Sequence, residues 1–557
     1  MFEFLPFGAM KFQNENHSAM SRVQQLAPEI QQICNISGTA GASIGILHKG
    51  KVLQKANFGF RNVAARTVPN YETIYGIGSI TKAFVAAGVG KLIHEQKLTW
   101  TTPIKSIIPE WQNVDPAITN LTTIVDCLAH RIGLAGDYSF TFQGDGDALL
   151  PVDQLIPLLN AMYPASPFRE QWIYSSWGYS LAGVIIERLS GQSVNDFLQQ
   201  NVYKPLGMKV TTTQPKFPSE ANIAEPYSSL EDGTPNHLKT RQVFKDTVFE
   251  AAASIFTNVD DMLLWASAII DTQSSSLKET ETILSGQIPM LPPSFRERSY
   301  AMGWIRTQLP GVVGLMGDNS MILPIKELPQ LGDKSPSILA FYHQGLIVGY
   351  YSSIFLFPES QSAIIVLTNS IALCDAAEFI AQAYTQALFD FKDPTDYVDL
   401  ARKASRRLVS IYEELGKTIE EQRKPNTLHH PLDAYTGRFW NKLHNFVLEV
   451  KRHATQPELL QFVFQGLDTQ IYDLRHLAND TFEWILTLDQ ESKRGRYHTW
   501  EPEFYSITFI PDGSDVDALR WAANPVDFPS VEIFEREGKQ ADYLKENLKD
   551  FPEVKLW

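Results

Sequence analysis

The stretch Gly76-Ile77-Gly78-Ser79-Ile80-Thr81-Lys82-Ala83-Phe84-Val85-Ala86-Ala87 decides how this chain is read. It sets a serine hydroxyl and a lysine amine at positions i and i+3, which share one face of an α-helix. Behind them run Val89, Leu92 and Ile93, so the helix is apolar nearly all round and belongs inside a domain. Burial lowers a lysine's pKa, and a neutral amine is what a proton acceptor must be. A serine placed there can pass its proton to Lys82 without a histidine, the layout of an activated nucleophile. A second Ser-x-x-Lys, Ser275-Ser276-Leu277-Lys278, ends a polar run with no apolar segment behind it and reads as a solvated loop. Gly41-Ala42-Ser43-Ile44-Gly45 has the spelling of a nucleophile elbow, but its serine falls inside a strand rather than on a strand-to-helix turn.

The frame around these residues is that of a multidomain globular protein. The chain has 557 residues, 44% hydrophobic and 20% charged, with a net charge of -15. That charge argues against nucleic acid or an anionic membrane as partner. Cys34, Cys127 and Cys374 are scattered and odd in number, so neither a disulfide framework nor a metal site is expected. His429-His430 beside a proline reads as a solvated pair. No cofactor and no metal are expected. The start lacks the basic and apolar segments of a secretory leader, and no apolar run reaches membrane-spanning length. A cytoplasmic location is the expectation, which makes triplets such as Asn120-Leu121-Thr122 coincidental.

Periodicity predicts helices over residues 19–33, 152–162, 179–189, 259–270 and 375–389, and strands over 42–47, 52–60, 339–342, 352–357 and 362–368. Residues 136–147 form a polar loop. Residues 396–424 carry a charged helical pattern. Beyond about 432, short aromatic-rich strands are predicted near 435–440, 445–450, 459–464, 482–488, 505–510 and 531–534, the pattern of a small sandwich or barrel.

Two further segments stand in order after Lys82: Tyr174-Ser175-Ser176 ahead of an apolar helix, and His343-Gln344-Gly345-Leu346 between apolar strand stretches. With Ser79-Ile80-Thr81-Lys82 they resemble the Ser-x-x-Lys, Tyr-x-Asn and Lys-Thr-Gly or His-x-Gly series of the serine β-lactamase and penicillin-binding-protein superfamily. The likeness is to its class C-like esterase, peptidase and acyltransferase branch. Leu128-Ala129-His130-Arg131-Ile132-Gly133-Leu134, Lys204-Pro205-Leu206-Gly207-Met208 and Ala251-Ala252-Ala253-Ser254-Ile255-Phe256 resemble further segments of that family. Tyr435-Thr436-Gly437-Arg438-Phe439 and Asp480-Thr481-Phe482-Glu483-Trp484 are similar to the lipocalin-like domain of some relatives.

The resemblance implies an α/β (α+β) fold. An antiparallel sheet would be flanked by helices and joined to an all-helical lobe, with an all-β barrel-like domain after it. The expected division is an N-terminal extension (1–18), a catalytic domain (19–390), a helical connector (391–431) and the β domain (432–557). It implies Ser79 as nucleophile, Lys82 as its amine partner and Tyr174 as a second acid or base. Backbone N–H groups of Ser79 and Leu346 would form the oxyanion hole, with Ser176, His343, Gln344 and Gly345 lining the substrate site. Ser176 replaces the usual Asn, and His343-Gln344-Gly345 replaces Lys-Thr-Gly, so the cation and hydroxyl that grip a β-lactam's carboxylate are not evident, which argues against β-lactamase activity and leaves the acyl-enzyme machinery intact. The readings left open are a hydrolase of a small-molecule ester, thioester or amide, an acyltransferase to an alcohol or carrier-protein acceptor, and a non-catalytic scaffold. Oligomeric state stays open.

Overall fold

The computed structural model describes residues 17–136, 143–216, 218, 221–239, 241–271, 276–290, 292–428, 430–499, 501–524 and 530–539. Most of the N-terminal extension, part of the polar loop at 136–147, Ser275 and His429 lie outside these residues.

An eight-stranded antiparallel sheet organises the first domain. Its strands are β1 (Gly41–His48), β2 (Lys51–Gly59), β3 (Ile288–Pro289), β4 (Arg298–Tyr300), β5 (Ile305–Leu309), β6 (Ile338–Ile347), β7 (Tyr350–Phe357) and β8 (Ser362–Thr368), in the order β2-β1-β8-β7-β6-β5-β4-β3. Every residue of β1, β7 and β8 is buried, so both faces are covered and the usual alternation of apolar and polar residues disappears.

The helices that matter to the site are α1 (Ala27–Ser37), α2 (Thr81–His94), α3 (Trp177–Ser190), α4 (Val259–Ile270), α5 (Ala376–Leu388) and α6 (Tyr397–Gln422). α4 and α5 both pack on β8. α2 carries Lys82 and packs against α3 in the helical lobe. α3 stops at Gly191, which takes the left-handed conformation that L side chains avoid. The charged helix expected near 396–424 is α6. It begins at an Asp396 cap and buries Tyr397, Leu400, Ala404, Leu408, Leu415 and Ile419. It packs on α1, so it is part of the body of the protein rather than an extended tether.

The C-terminal part is a closed antiparallel barrel of eight strands, β9 to β16. These are β9 (Gly437–Asn441), β10 (Val447–Arg452), β11 (Leu460–Phe464), β12 (Ile471–Ala478), β13 (Thr481–Glu483), β14 (Ser506–Asp512), β15 (Asp515–Asn524) and β16 (Ser530–Arg536). β12 and β15 are additions to the expected strands. Asp473 and Arg475 in β12, and Asp517 and Arg520 in β15, break the apolar runs by which strands are recognised. The segment expected as a strand over 482–488 instead leaves the barrel after Glu483 and enters the short helix α7 (Leu488–Arg494). A Thr487 capping box starts α7 and left-handed Gly495 ends it.

Rings fill the barrel. Phe462, Phe464, Tyr472, Phe482, Trp484, Phe509 and Trp521 are all buried. Ring centroids lie 5.1 Å apart for Phe462 and Trp484, and 5.4 Å apart for Phe464 and Trp521. Such contacts leave the barrel axis as packed core. Among the described residues, no helix is long and apolar enough to cross a membrane.

Candidate active site

Ser79 sits in a 3-10 turn, Gly78–Ile80, that runs directly into α2. The turn is held on two sides, one of them the sheet. The Ile77 amide donates to the Ile255 carbonyl at 2.9 Å, and the Ser352 hydroxyl donates to the Ile77 carbonyl at 2.9 Å. Gly78 has a φ of +49°, and a Cβ there would lie 2.5 Å from the Leu346 backbone nitrogen. Only glycine lets this turn lie flat against β6. Gly345 meets the same need from the strand side, because a Cβ there would lie 1.9 Å from the Ile77 carbonyl oxygen. The nucleophile turn and the Leu346 backbone are thereby held in contact.

Lys82 Nζ lies 2.9 Å from Ser79 Oγ and 3.1 Å from the Ala252 carbonyl oxygen. The lysine is wholly buried, and burial brings its pKa down to about 7. As an ammonium it donates to both oxygens. As a free amine it keeps a donor for Ala252 and takes the Ser79 hydroxyl proton on its lone pair. Among the described residues no carboxylate pairs with it, so no countercharge offsets the cost of burying the ammonium.

Aromatic rings enclose the amine. The centroids of Tyr174 and Tyr179 lie 5.0 and 5.6 Å from Nζ. Tyr174 is half-buried and stands just ahead of α3, with Ser176 at the helix cap. The Ser176 carbonyl accepts from the Ser180 hydroxyl at 3.2 Å. Tyr179 donates its hydroxyl to the Leu128 carbonyl at 2.7 Å, and burial raises its pKa well above that of a free phenol.

His343 and Gln344 face opposite ways along β6. His343 Nδ1 lies 2.6 Å from the Gln344 carbonyl oxygen, which can only accept, so the ring proton sits on Nδ1. Its Nε2 then accepts from the Tyr300 hydroxyl at 3.1 Å. Burial, followed by the field of Lys82, pushes its pKa down to about 3, and the ring is neutral. Gln344 instead donates Nε2 to Glu378 on α5 at 3.1 Å. Its side chain leaves the substrate side and braces the sheet from behind, a correction to the expected lining role. The period-2 alternation of a strand carried that signal.

His130 was missing from the expected site, although the segment around it was not. It adopts a φ of +56° and is buried. Its ring centroid lies 4.5 Å from that of Tyr174 and 4.6 Å from that of Tyr300. Nδ1 accepts the Ser175 amide at 3.2 Å, which leaves the proton on Nε2. That Nε2 has no hydrogen-bond partner among the described residues. The pKa lies well below the usual range through burial, then the fields of Lys82 and His343. The expected Ser43 decoy behaves as a core residue inside β1, hydrogen-bonded to Asn57 at 2.8 Å and Tyr75 at 2.9 Å.

A Ser–Lys pair on a buried helix, with a tyrosine beside the amine and a strand backbone against the serine turn, coincides with the family model for Beta-lactamase, which matches residues 26–386. The chain belongs to the beta-lactamase family. A second model, a domain of unknown function (DUF3471), matches residues 421–536, the span of the barrel. The family is one of serine hydrolases.

Among curated relatives, "Unguisins hydrolase ungD'" of Aspergillus campestris is 25% identical over 70% of this chain and 73% of its own length. "Protein flp" of Staphylococcus aureus is 24% identical over 62% of this chain and 63% of its own. A solved penicillin-binding protein homologue from Pyrococcus abyssi, described as octameric, shares 21% identity and a TM-score of 0.53. It covers 92% of this chain and 100% of that one. That likeness extends the shared fold through the barrel.

Proposed function

We propose that this beta-lactamase family member is a serine hydrolase that forms an acyl-enzyme on Ser79. The observation that carries the proposal is the 2.9 Å contact between Ser79 Oγ and a buried Lys82 whose pKa is brought down to about 7. The free amine accepts the Ser79 proton as Oγ bonds to the substrate carbonyl carbon. The carbonyl oxygen gains negative charge, which the Ser79 and Leu346 amides receive in this reading. The tetrahedral species collapses by breaking the bond to the leaving group, which takes a proton from the Lys82–Tyr174 side. Water, deprotonated by the same pair, adds to the acyl carbon and releases acid and free Ser79.

The site favours an uncharged substrate. Burial brings the Lys82 pKa down to about 7, so a free amine is accessible near neutral pH, and His343 is neutral. Tyr174, Tyr179 and Tyr300 supply rings rather than cations. The strand position that a Lys-Thr-Gly segment fills with a lysine holds the neutral His343 here, so among the described residues that cation is not supplied from β6. Neutral esters, thioesters and small amides suit these surroundings better than an anionic β-lactam does. The name "Unguisins hydrolase", carried by relatives, supports hydrolysis as the direction of reaction.

The test is intact-mass measurement after exposure to a fluorophosphonate or an activated aryl ester. Wild-type protein should gain one adduct, and Ser79→Ala should gain none. A folded wild type that gains no adduct across several acyl chains makes the protein a non-catalytic member of its family. Adding an alcohol to the ester assay separates water from an alcohol as the acceptor, because transfer yields a new ester in place of acid.

A further inference from the structure

The barrel reaches back to the nucleophile. Between β13 and β14 the chain leaves the barrel, and this excursion docks on the first domain through α7 and the residues after it. The Ser228 hydroxyl donates to the Ser492 carbonyl at 2.5 Å, and the Glu231 amide donates to Asp489 at 2.9 Å. A Cβ on Gly495 would lie 3.0 Å from both Leu238 and Val348, so the excursion is pressed onto the turn that joins β6 to β7.

Tyr497 completes the contact. Its hydroxyl donates to Gln242 Oε1 at 3.1 Å, and the Val348 amide donates to the same oxygen at 3.3 Å. The Val348 amide also hydrogen-bonds the phenolic oxygen of Tyr497. Gln242 and Val348 are both buried. Val348 follows Leu346 and Ile347, and the Leu346 backbone is what lies against Gly78 beside Ser79.

This end of β6 needs an anchor. Pairing with β5 stops at Tyr342, so from His343 to Ile347 the strand has a partner, β7, on one side only. Its other edge faces the nucleophile turn. A hydrogen-bond donor aimed at a developing oxyanion works because it is already in place, and small displacements are costly.

We propose that Tyr497 is a positioning residue for both acylation and deacylation: through Gln242 it fixes the Leu346–Val348 end of β6, so that the barrel domain sets the geometry of the oxyanion donor used in each step. This role rests on the acyl-enzyme at Ser79 proposed above.

The experiment uses the full chain and a p-nitrophenyl ester. Tyr497→Phe removes only the hydroxyl and keeps the ring. It should lower kcat about tenfold while KM stays within about twofold. Amide hydrogen exchange should quicken in the turn around Val348, with an unchanged melting temperature. Gln242→Leu should reproduce the loss, and Gln242→Glu, which keeps an acceptor oxygen, should recover most of it; this pair carries the comparison if Tyr497→Phe melts early.

An unchanged kcat overturns the role, as does a KM rise at constant kcat or unchanged exchange in the turn. Wild type that forms no Ser79 adduct removes the proposed function and this role together. An adduct on wild type with full kcat in Tyr497→Phe removes the role alone.

Discussion

Lys82 and Arg496 are both buried cations set among aromatic rings, and they have opposite fates. Lys82 has Tyr174 and Tyr179 at 5.0 and 5.6 Å. Arg496 has Trp484 and Tyr472 at 5.0 and 5.1 Å. The difference is the countercharge. Arg496 Nε lies 2.5 Å from Glu491 Oε2, and Nη1 donates to Gln143 Oε1 at 2.8 Å. Paired in this way, the guanidinium keeps its charge and ties the β13–β14 excursion to the first domain. Lys82 has hydroxyl and carbonyl oxygens in place of a carboxylate, and desolvation acts on it unopposed. One arrangement holds domains together and the other makes a base.

The comparison is broken most sharply at Lys82. Lys82→Met should lower ester turnover about 10⁴-fold, because Ser79 loses its proton acceptor. It should also stabilise the protein by on the order of 1 kcal/mol, since a poorly solvated amine gives way to an apolar chain. Turnover and thermal melting of one preparation check both. A fall in melting temperature would mean that the lysine is held as a paired charge, like Arg496.

The converse applies to Arg496. Arg496→Met strands the buried Glu491 carboxylate in α7 and should cost about 3–5 kcal/mol of stability. The double change Arg496→Met with Glu491→Leu removes both charges and should recover most of that loss. Denaturant unfolding read by barrel tryptophan fluorescence measures it. A double variant no more stable than the single one would place the contribution of Arg496 in its contacts to Gln143 and Tyr472 rather than in the ion pair.

How much of each cation's setting could be read from the sequence follows from the same contrast. Ser79 and Lys82 are one helical turn apart, so their meeting is a local property, and the apolar residues behind them announced the burial. Tyr174 and the β6 segment could be ordered along the chain only by resemblance. The surroundings of Arg496 come from distant chain. Gln143, Tyr472 and Glu491 meet it through a loop, a strand and a helix, with the strand interrupted by charges and the helix starting where a strand was expected to end. His130 was hidden for another reason. Nothing in its neighbours shows that a left-handed backbone turns the ring toward Tyr174. The opposed directions of His343 and Gln344 were legible from strand alternation alone, once the strand was carried through them.

The smallest effect concerns pH, and it isolates Lys82 from the neutral rings beside it. The amine must be unprotonated to accept from Ser79, so acylation falls as pH drops through about 7, where Lys82 titrates. One unit below that point the rate should be about a tenth of its plateau. His343 stays neutral down to about 3, and His130 is likewise held far below its usual range. Neither adds a limb between pH 5 and 9. His343→Asn should therefore lower the rate only a few-fold, through loss of the Tyr300 contact, and leave the midpoint within a few tenths of a unit. Burst-phase acylation measured across pH checks this. A second limb below 7, or a midpoint that moves with the His343 variant, would transfer the titration from the lysine to the histidine and remove Lys82 as the base.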